Sequence, residues 1–435
     1  MITPLKSTSH EGRQKLADLA DRFQLADPQC REIVSDIIAQ VRSRGDEAVL
    51  EYTRRFDAPE MALDSLRVSQ AEMDAAYDQV DGAILASIRL AKERIWQFHQ
   101  REMEESWMMT REDGTITGRL VLPVASAGLY VPGGQGGKTP RVSSVLMNGI
   151  PAAIAGVQKR VMMTPPGADG SVHPALLVAA REIGISEIYQ TGSAWAIAAL
   201  AFGTETIPRV DVIVGPGNQF VAEAKRQVMG RVRIDMLAGP SEVLIIADAG
   251  ASPASCAADM LAQAEHDPQA LAILLTTSAQ VAEDTVAELE RQLPLLSREE
   301  IARTALVERG VIVVCADVDE AVALANAIAI EHLELMVAEP FLYLGKVAHA
   351  GAIFLGNYSP EACGDYVAGP NHVLPTMGTA RISSALGVET FLKKSSIIAY
   401  SKEALLADAP HIQALANLEG LTAHARSVAV RLAEM

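Results

Sequence analysis

Nine histidines are spread over the 435 residues, and four of them, His266, His332, His372 and His424, stand among other ligand or acid-base side chains. In Gln263-Ala264-Glu265-His266 the i,i+3 spacing puts Gln263 and His266 on one face of a helix end, where two metal ligands can converge; a plain polar helix end has the same letters. Glu331-His332 sets a carboxylate beside an imidazole, a neutral base suited to a hydroxyl proton and an acid suited, when partly buried, to activating water. Adjacent side chains on a helix diverge by about 100°, so both reach one site only at a helix start or in irregular backbone, and an exposed helix pair is the competing reading. Residues 364–372 carry Asp365 and His372 on a stretch broken by Gly369 and Pro370, a loop after a strand, where an Asx turn beside a surface histidine is the alternative. His424 lies at the margin of an apolar stripe of Leu421, Ala425, Val428 and Leu432, where a lone histidine is more often packed core. Glu419, across Gly420 from that helix, is more often a solvated charge near a favourable dipole.

Two glycine-rich stretches invite nucleotide readings. Gly215-Pro216-Gly217-Asn218 stands between an expected strand and helix but lacks the third glycine of the dinucleotide fingerprint, which leaves Asn218 as a ligand candidate. Residues 132–139 end like a P-loop, with Pro132 where the first glycine should turn the backbone towards phosphate. Residues 244–248 can pass as a Walker B strand, so a P-loop-like nucleotidase stands as a minority alternative.

These residues need elements to hold them. Helical periodicity covers most of the first hundred residues, with a break at 43–46 and one further helix over 71–103. From about residue 118, β-branched runs alternate with Ala-rich stretches, the pattern of βαβ units around a parallel sheet. Strands are predicted at 127–131, 157–164, 187–190, 210–214 and 243–247. A second set is predicted at 270–276, 310–316 and 352–355, with helices at 253–266, 278–293 and 318–328. Beyond Phe391 strands are expected to stop and a helical tail to follow. The implied division is 1–120 mainly helical, 121–245 a first α/β unit, 246–385 a second, and 386–435 a helical tail.

Bulk properties narrow the function. Hydrophobic residues are 49% and charged residues 21%, ordinary for soluble α/β proteins, and a formal charge of −17 argues against nucleic acid or anionic lipid as partner. Cys30, Cys256, Cys315 and Cys363 show no Cys-x-x-Cys spacing, which points to a reducing cytoplasm and away from a thiolate zinc site. No secretory signal pattern opens the chain, and no apolar run reaches the roughly 18 residues of a membrane span.

In this order the segments resemble the histidinol dehydrogenase family over nearly the whole chain. The resemblance runs from Arg44-Gly45-Asp46-Glu47-Ala48 through Tyr130-Val131-Pro132-Gly133-Gly134, residues 215–218, 235–242, 263–266, 331–333 and 356–365 to Glu419-Gly420-Leu421-Thr422-Ala423-His424. It implies two incomplete Rossmann-like parallel-sheet domains with small helical extensions, in an intertwined homodimer whose active sites are shared: 121–245 on the NAD side, 246–385 carrying zinc and base, 1–120 packing on that second unit, and the tail 386–435 contributing Glu419 and His424. It implies one zinc ion per subunit on Gln263, His266, Asp365 and His424, with zinc holding the imidazole and amine of the substrate. Ser241, His372 and Glu419 correspond to substrate contacts, His332 to the main base, Glu331 to its partner, and Tyr130, Trp195 and Asn218 to NAD contacts. The implied reaction is L-histidinol with two NAD and water to L-histidine through L-histidinaldehyde, the end of histidine biosynthesis. A paralogue oxidising another small polar alcohol, such as a sulfonated diol, is the nearest alternative, and a non-catalytic zinc- or ligand-binding protein a further one. Three departures stand out: a longer segment at 135–142, Trp195 where glutamine is common, and Ile330 in place of proline. The first two put NAD affinity or pose in question.

Overall fold

The computed structural model describes residues 2–23, 27–133 and 139–435. The chain divides into two units, Met1–Glu102 with Val124–Phe391, and Met103–Pro123 with Leu392–Met435. In chain order the strands are β1 (Leu5–Lys6), β2 (Trp107–Thr110), β3 (Ile116–Pro123), β4 (Ser126–Tyr130), β5 (Lys159–Thr164), β6 (Glu187–Gln190), β7 (Val212–Val214), β8 (Arg233–Ile234), β9 (Glu242–Ala247), β10 (Leu271–Thr276), β11 (Val311–Val314), β12 (Ile330–Met336), β13 (Ala350–Leu355) and β14 (Leu392–Ala399).

The larger unit holds two parallel sheets, ordered β6-β5-β4-β7-β8 and β1-β11-β10-β9-β12-β13. Leaving aside the edge strand β1, each reads third, second, first, fourth, fifth in chain order. This is the doubly wound arrangement, with switch points between β4 and β7 in one sheet and between β9 and β12 in the other. Strands β9 and β10 are buried along their whole length, as sheets covered on both faces require. The pleat sends Val243, Ile245 and Ala247 to the core built with helix Pro253–Ala264, and Leu244 and Ile246 to the core shared with Leu333 and Leu335. That helix starts on Ser252, whose side chain accepts from Ser255 N–H, with Pro253 at the first helical position.

Several expectations are corrected. Residues 71–103 do not form one helix: Gln70–Ala75 gives way to a 3-10 turn, and Gly82–His99 starts afresh on an Asp81 cap. The N-terminal segment does not pack on the second sheet alone. Val34, Ile37 and Val41 of helix Pro28–Arg44 join the core beside the five-stranded sheet, whereas β1 and Leu16 and Leu19 of helix His10–Ala20 join the six-stranded one. A boundary at 245–246 cuts β9. Strand β12 was not expected, and neither was β14.

The second unit, taken by itself, is an antiparallel sheet. β14 pairs with β3 over eight residues, from Leu392 opposite Pro123 to Ala399 opposite Ile116, and β2 pairs with the other side of β3. Helices Lys402–Leu418 and Thr422–Ala433 complete it.

Candidate active site

The switch point of the six-stranded sheet brings the acid-base pair to its partners. His332 is in register with Val243, so Glu331 comes beside Glu242, the first residue of β9. Glu331 and His332 thus open a parallel strand and lie in neither a helix start nor irregular backbone, which corrects the sequence expectation. The pair also sits at the amino edge of the strands. The opposite, carboxyl edge of this switch point is bridged by Asp248, whose Oδ2 accepts from Ala338 N–H at 2.6 Å and whose own N–H donates to the Met336 carbonyl at 3.2 Å.

The backbone of one residue, Glu242, holds both. The Glu242 carbonyl accepts from His332 Nδ1–H at 3.0 Å, and the Glu242 N–H donates to Glu331 Oε2 at 2.7 Å. Because a carbonyl only accepts, this bond puts the imidazole proton on Nδ1 and leaves the Nε2 lone pair free. Glu331 Oε2 and Glu361 Oε1 lie 3.6 and 3.8 Å from His332 Nδ1, near enough to act on its charge but beyond hydrogen-bond length. Burial drives the His332 imidazole down to about 4, so it is neutral near pH 7. Burial likewise pushes the Glu331 carboxyl well above its usual range, only partly offset by the Glu242 N–H bond and the more distant Arg22.

Helix Pro253–Ala264 lays a stripe along β12. Cys256 Sγ meets Met336 Sδ at 3.6 Å, Asp259 meets the Glu334 carboxyl, and Gln263 lies against Glu361. Positions 256, 259 and 263 share one helix face, so Cys256 and Asp259 follow β12 and Gln263 continues the line to Glu361 of helix Glu361–Tyr366. Glu334 Oε1 accepts from Glu361 N–H at 2.8 Å, while its buried Oε2 has no donor, so its contact with Asp259 requires a proton held between the two carboxyls. The Gln263 amide, oriented to satisfy both ends, donates to Glu361 Oε2 at 2.7 Å and accepts from Glu242 N–H at 2.8 Å. Two oxygen ligands of one tetrahedral zinc stand roughly 3.4 Å apart, so the Gln263–Glu361 contact is a hydrogen bond.

Past that helix, His266 is lowered to about 4, mainly by burial, and Asp365 is raised to about 6 for the same reason. His372 Nδ1 lies 3.7 Å from Asp365 Oδ1, and its buried Nε2 has no partner. Asp365 belongs to the short helix Glu361–Tyr366, where a loop was expected. Among the described residues, ligand atoms of His332, Glu361 and Asp365 lie within 4.8 Å of one another. This group shares only Asp365 with the set the resemblance implies. The donor chemistry fits a divalent cation. Neutral imidazoles offer lone pairs, the His372 nitrogen is orphaned, and Glu331, Glu361 and Asp365 are all held high by burial, with Arg22 and Arg141 offsetting it only in part. Ser241 immediately precedes β9, its carbonyl accepting from Leu271 N–H at 3.0 Å.

In the other sheet Tyr130 is the last residue of β4, and Trp195 and Asn218 follow the carboxyl ends of β6 and β7. The Tyr130 hydroxyl accepts from Ser193 N–H at 3.0 Å, and Asn218 caps helix Gln219–Val228 by accepting from Phe220 and Val221 N–H groups at 3.1 Å. Trp195 stacks on Tyr52 and Phe56, each at 5.5 Å between centroids, with its buried Nε1 unpartnered. Gly215, at φ +115, lies so close to the Tyr130 carbonyl that a Cβ would collide with it. Of the P-loop-like stretch, residues 134–138 lie outside those described. The Walker pairing is contradicted, because β4 precedes that stretch in one sheet while 244–248 belong to the other. Glu419 and His424 belong to the second unit: Glu419 ends helix Lys402–Leu418, and His424 is exposed on the helix whose Ala425 and Val428 are buried. The sequence reading assigned no role to Glu361, Glu242, Glu334, Asp259 or Arg22; the Cys256, Asp259, Gln263 stripe was the available signal for Asp259.

Two doubly wound sheets, one of them with a buried acid-base constellation at its switch point, define an α/β fold carrying the site of an enzyme. The family model described as histidinol dehydrogenase matches residues 20–432. A histidinol dehydrogenase of Desulfotalea psychrophila is 67% identical over 99% of this chain and 100% of its own length, and one of Nitratidesulfovibrio vulgaris is 56% identical over 95% and 94%. The crystal structure of histidinol dehydrogenase from Elizabethkingia anophelis superposes with a TM-score of 0.90 at 38% identity, covering 97% of this chain and 96% of that one. The chain belongs to the histidinol dehydrogenase family, a family of oxidoreductases.

Proposed function

We propose that this chain oxidises L-histidinol to L-histidine through L-histidinaldehyde, using zinc and two NAD. The observation that carries the reading is the Glu242 backbone holding Glu331 and His332 together beside buried Glu361 and half-buried Asp365. Gln263, His266, Asp365 and His424 would hold zinc, which when bound would supply a Lewis-acid template for the substrate's imidazole and amine. Raised, uncompensated carboxyls favour a cationic substrate, and Ser241, His372 and Glu419 complete its contacts. Tyr130, Trp195 and Asn218 would hold NAD, which when bound would supply the hydride acceptor for both oxidations.

His332 Nε2 takes the hydroxyl proton in the first oxidation, since Nδ1 is committed to the Glu242 carbonyl. Glu331, ionised once cationic groups enter the site, takes a proton from the water that adds to the aldehyde. Protonated His332 returns its proton to the aldehyde oxygen as the water adds and, neutral again, takes a proton from the resulting hydrate in the second oxidation. A homodimer with shared sites belongs to this reading. It is supported by the exposed apolar side chains of the small sheet, Trp107, Met108, Met109, Leu122 and Ile398. A reducing compartment fits the four unbridged cysteines. The test is zinc-loaded protein with NAD and L-histidinol, followed by NADH absorbance. Two NADH per histidine are expected, and no NADH overturns the proposal.

A further inference from the structure

Arg22 follows helix His10–Ala20, far in sequence from β9 and β12, yet all five of its N–H donors are engaged. Nε and Nη2 donate to Glu242 Oε1 and Oε2, each at 2.6 Å. Nη1 donates to the Leu19 carbonyl at 2.8 Å and to the Ile328 carbonyl, and Nη2 reaches the Ala329 carbonyl at 3.4 Å. Both side chains are enclosed, 6% exposed for Arg22 and 2% for Glu242.

The two ends of this bridge meet the two reactive residues from opposite sides. Glu242 supplies the N–H and carbonyl that hold Glu331 and His332. Ile328 and Ala329 form the turn that feeds them into β12, and Ala329 stands at φ +52, ψ 65, a left-handed conformation costly for a residue with a Cβ. A planar fork can grip a carboxylate with one edge and backbone carbonyls with the other; an ammonium cannot keep both geometries. Buried ion pairs are weak sources of stability, because desolvation offsets their attraction, so stability alone does not account for this one.

We infer that the Arg22–Glu242 pair is a positioning device: it fixes the β9 peptide and the Ala329 turn so that His332 keeps its proton on Nδ1 and aims Nε2 at the substrate. The inference rests on the reading of His332 as the base. Arg22 and Glu242 touch no reacting atom.

The test uses Arg22→Lys and the double variant Arg22→Met with Glu242→Met, which avoids leaving one buried charge alone. Full-length, zinc-loaded proteins are compared with wild type for urea midpoint, zinc content, kcat, KM for histidinol, and the histidine ring signals in 15N–1H spectra, with His332 assigned from a His332→Gln spectrum. The expectation is a folded protein with zinc and a KM within about threefold, but kcat lowered about 10- to 100-fold, the scale of a small misplacement. The His332 ring should pass from a single Nδ1–H tautomer to a mixture. Wild-type kcat and tautomer in a folded variant overturn the inference, and so does a wild-type spectrum without the Nδ1–H tautomer. The ring spectrum needs no turnover, so it tests the positioning even if histidinol proves not to be the substrate.

Discussion

Replacing His332 by glutamine isolates the base from the scaffold. Alanine would leave the Glu242 carbonyl, buried between β9 and β12, without its donor, at a cost of about 1–3 kcal/mol. A glutamine amide can supply an N–H to that carbonyl, so the urea midpoint should move little and the zinc content not at all. What glutamine lacks is the Nε2 lone pair of a neutral imidazole. With its pKa at about 4, wild-type His332 is almost wholly unprotonated at neutral pH, so every molecule carries a competent base and removing it exposes the full loss. General-base catalysis contributes roughly 10² to 10⁴ in rate, or about 2.7–5.4 kcal/mol in the barrier. The assay is initial-rate NADH formation from L-histidinol at pH 7 to 9, with KM and bound zinc measured in parallel. A kcat within threefold of wild type in a zinc-replete variant would show that His332 is not the base, whatever its geometry.

Glu331→Gln should slow aldehyde oxidation at least tenfold more than alcohol oxidation, measured by single turnover from each substrate; equal losses refute the division of labour. His266→Ala and Asp365→Asn should each lower bound zinc by at least tenfold without unfolding the protein, as metal analysis will show, and wild-type zinc content in either refutes the ligand assignment. If His424 serves the partner, refolding equal amounts of His266→Ala and His424→Ala should restore about a quarter of wild-type activity, since half the dimers are mixed and each holds one intact site. No recovery in proven mixed dimers places His424 in its own subunit. Glu334 has its folded pKa raised above the 4.5 of an ordinary glutamate, by burial first and by Asp259 second, so the fold favours its protonated form. Its contribution in metal-free protein is therefore full below about pH 4.5 and lost as pH rises. Glu334→Gln, which keeps a donor for Asp259, should flatten the decline of the urea midpoint as pH rises above about 4.5; an unchanged slope counts against the shared proton.

Strands such as β9, β10 and β11 were legible because their runs of Val, Leu and Ile are buried on both faces. Strand β12 was not, because Glu331, His332 and Glu334 occupy three of its seven positions, a pattern that resembles a polar helix end. Those side chains are tolerated there because Glu242, Glu361 and Asp259 meet them from other elements. Strand β14 was hidden by Lys393, Lys394, Ser395 and Ser396; its backbone pairing with β3 gives it strand geometry without an apolar face. Ile330 heads β12 in full register with Ala350, a place where proline would remove a backbone donor.

The sequence by itself determined the inventory: imidazoles and carboxyls in short clusters, helical stripes, apolar strands and alternating βα order, all of which local periodicity encodes. Which carboxyls lose their water, which nitrogen of His332 carries the proton, and which edge of the sheet becomes the site were decided only by tertiary structure. His332 takes its proton position from a carbonyl 90 residues away, and Glu242 takes its counter-ion from 220 residues away. Desolvation and hydrogen bonding act through space, so no local pattern of letters records which distant segment will close over a given side chain.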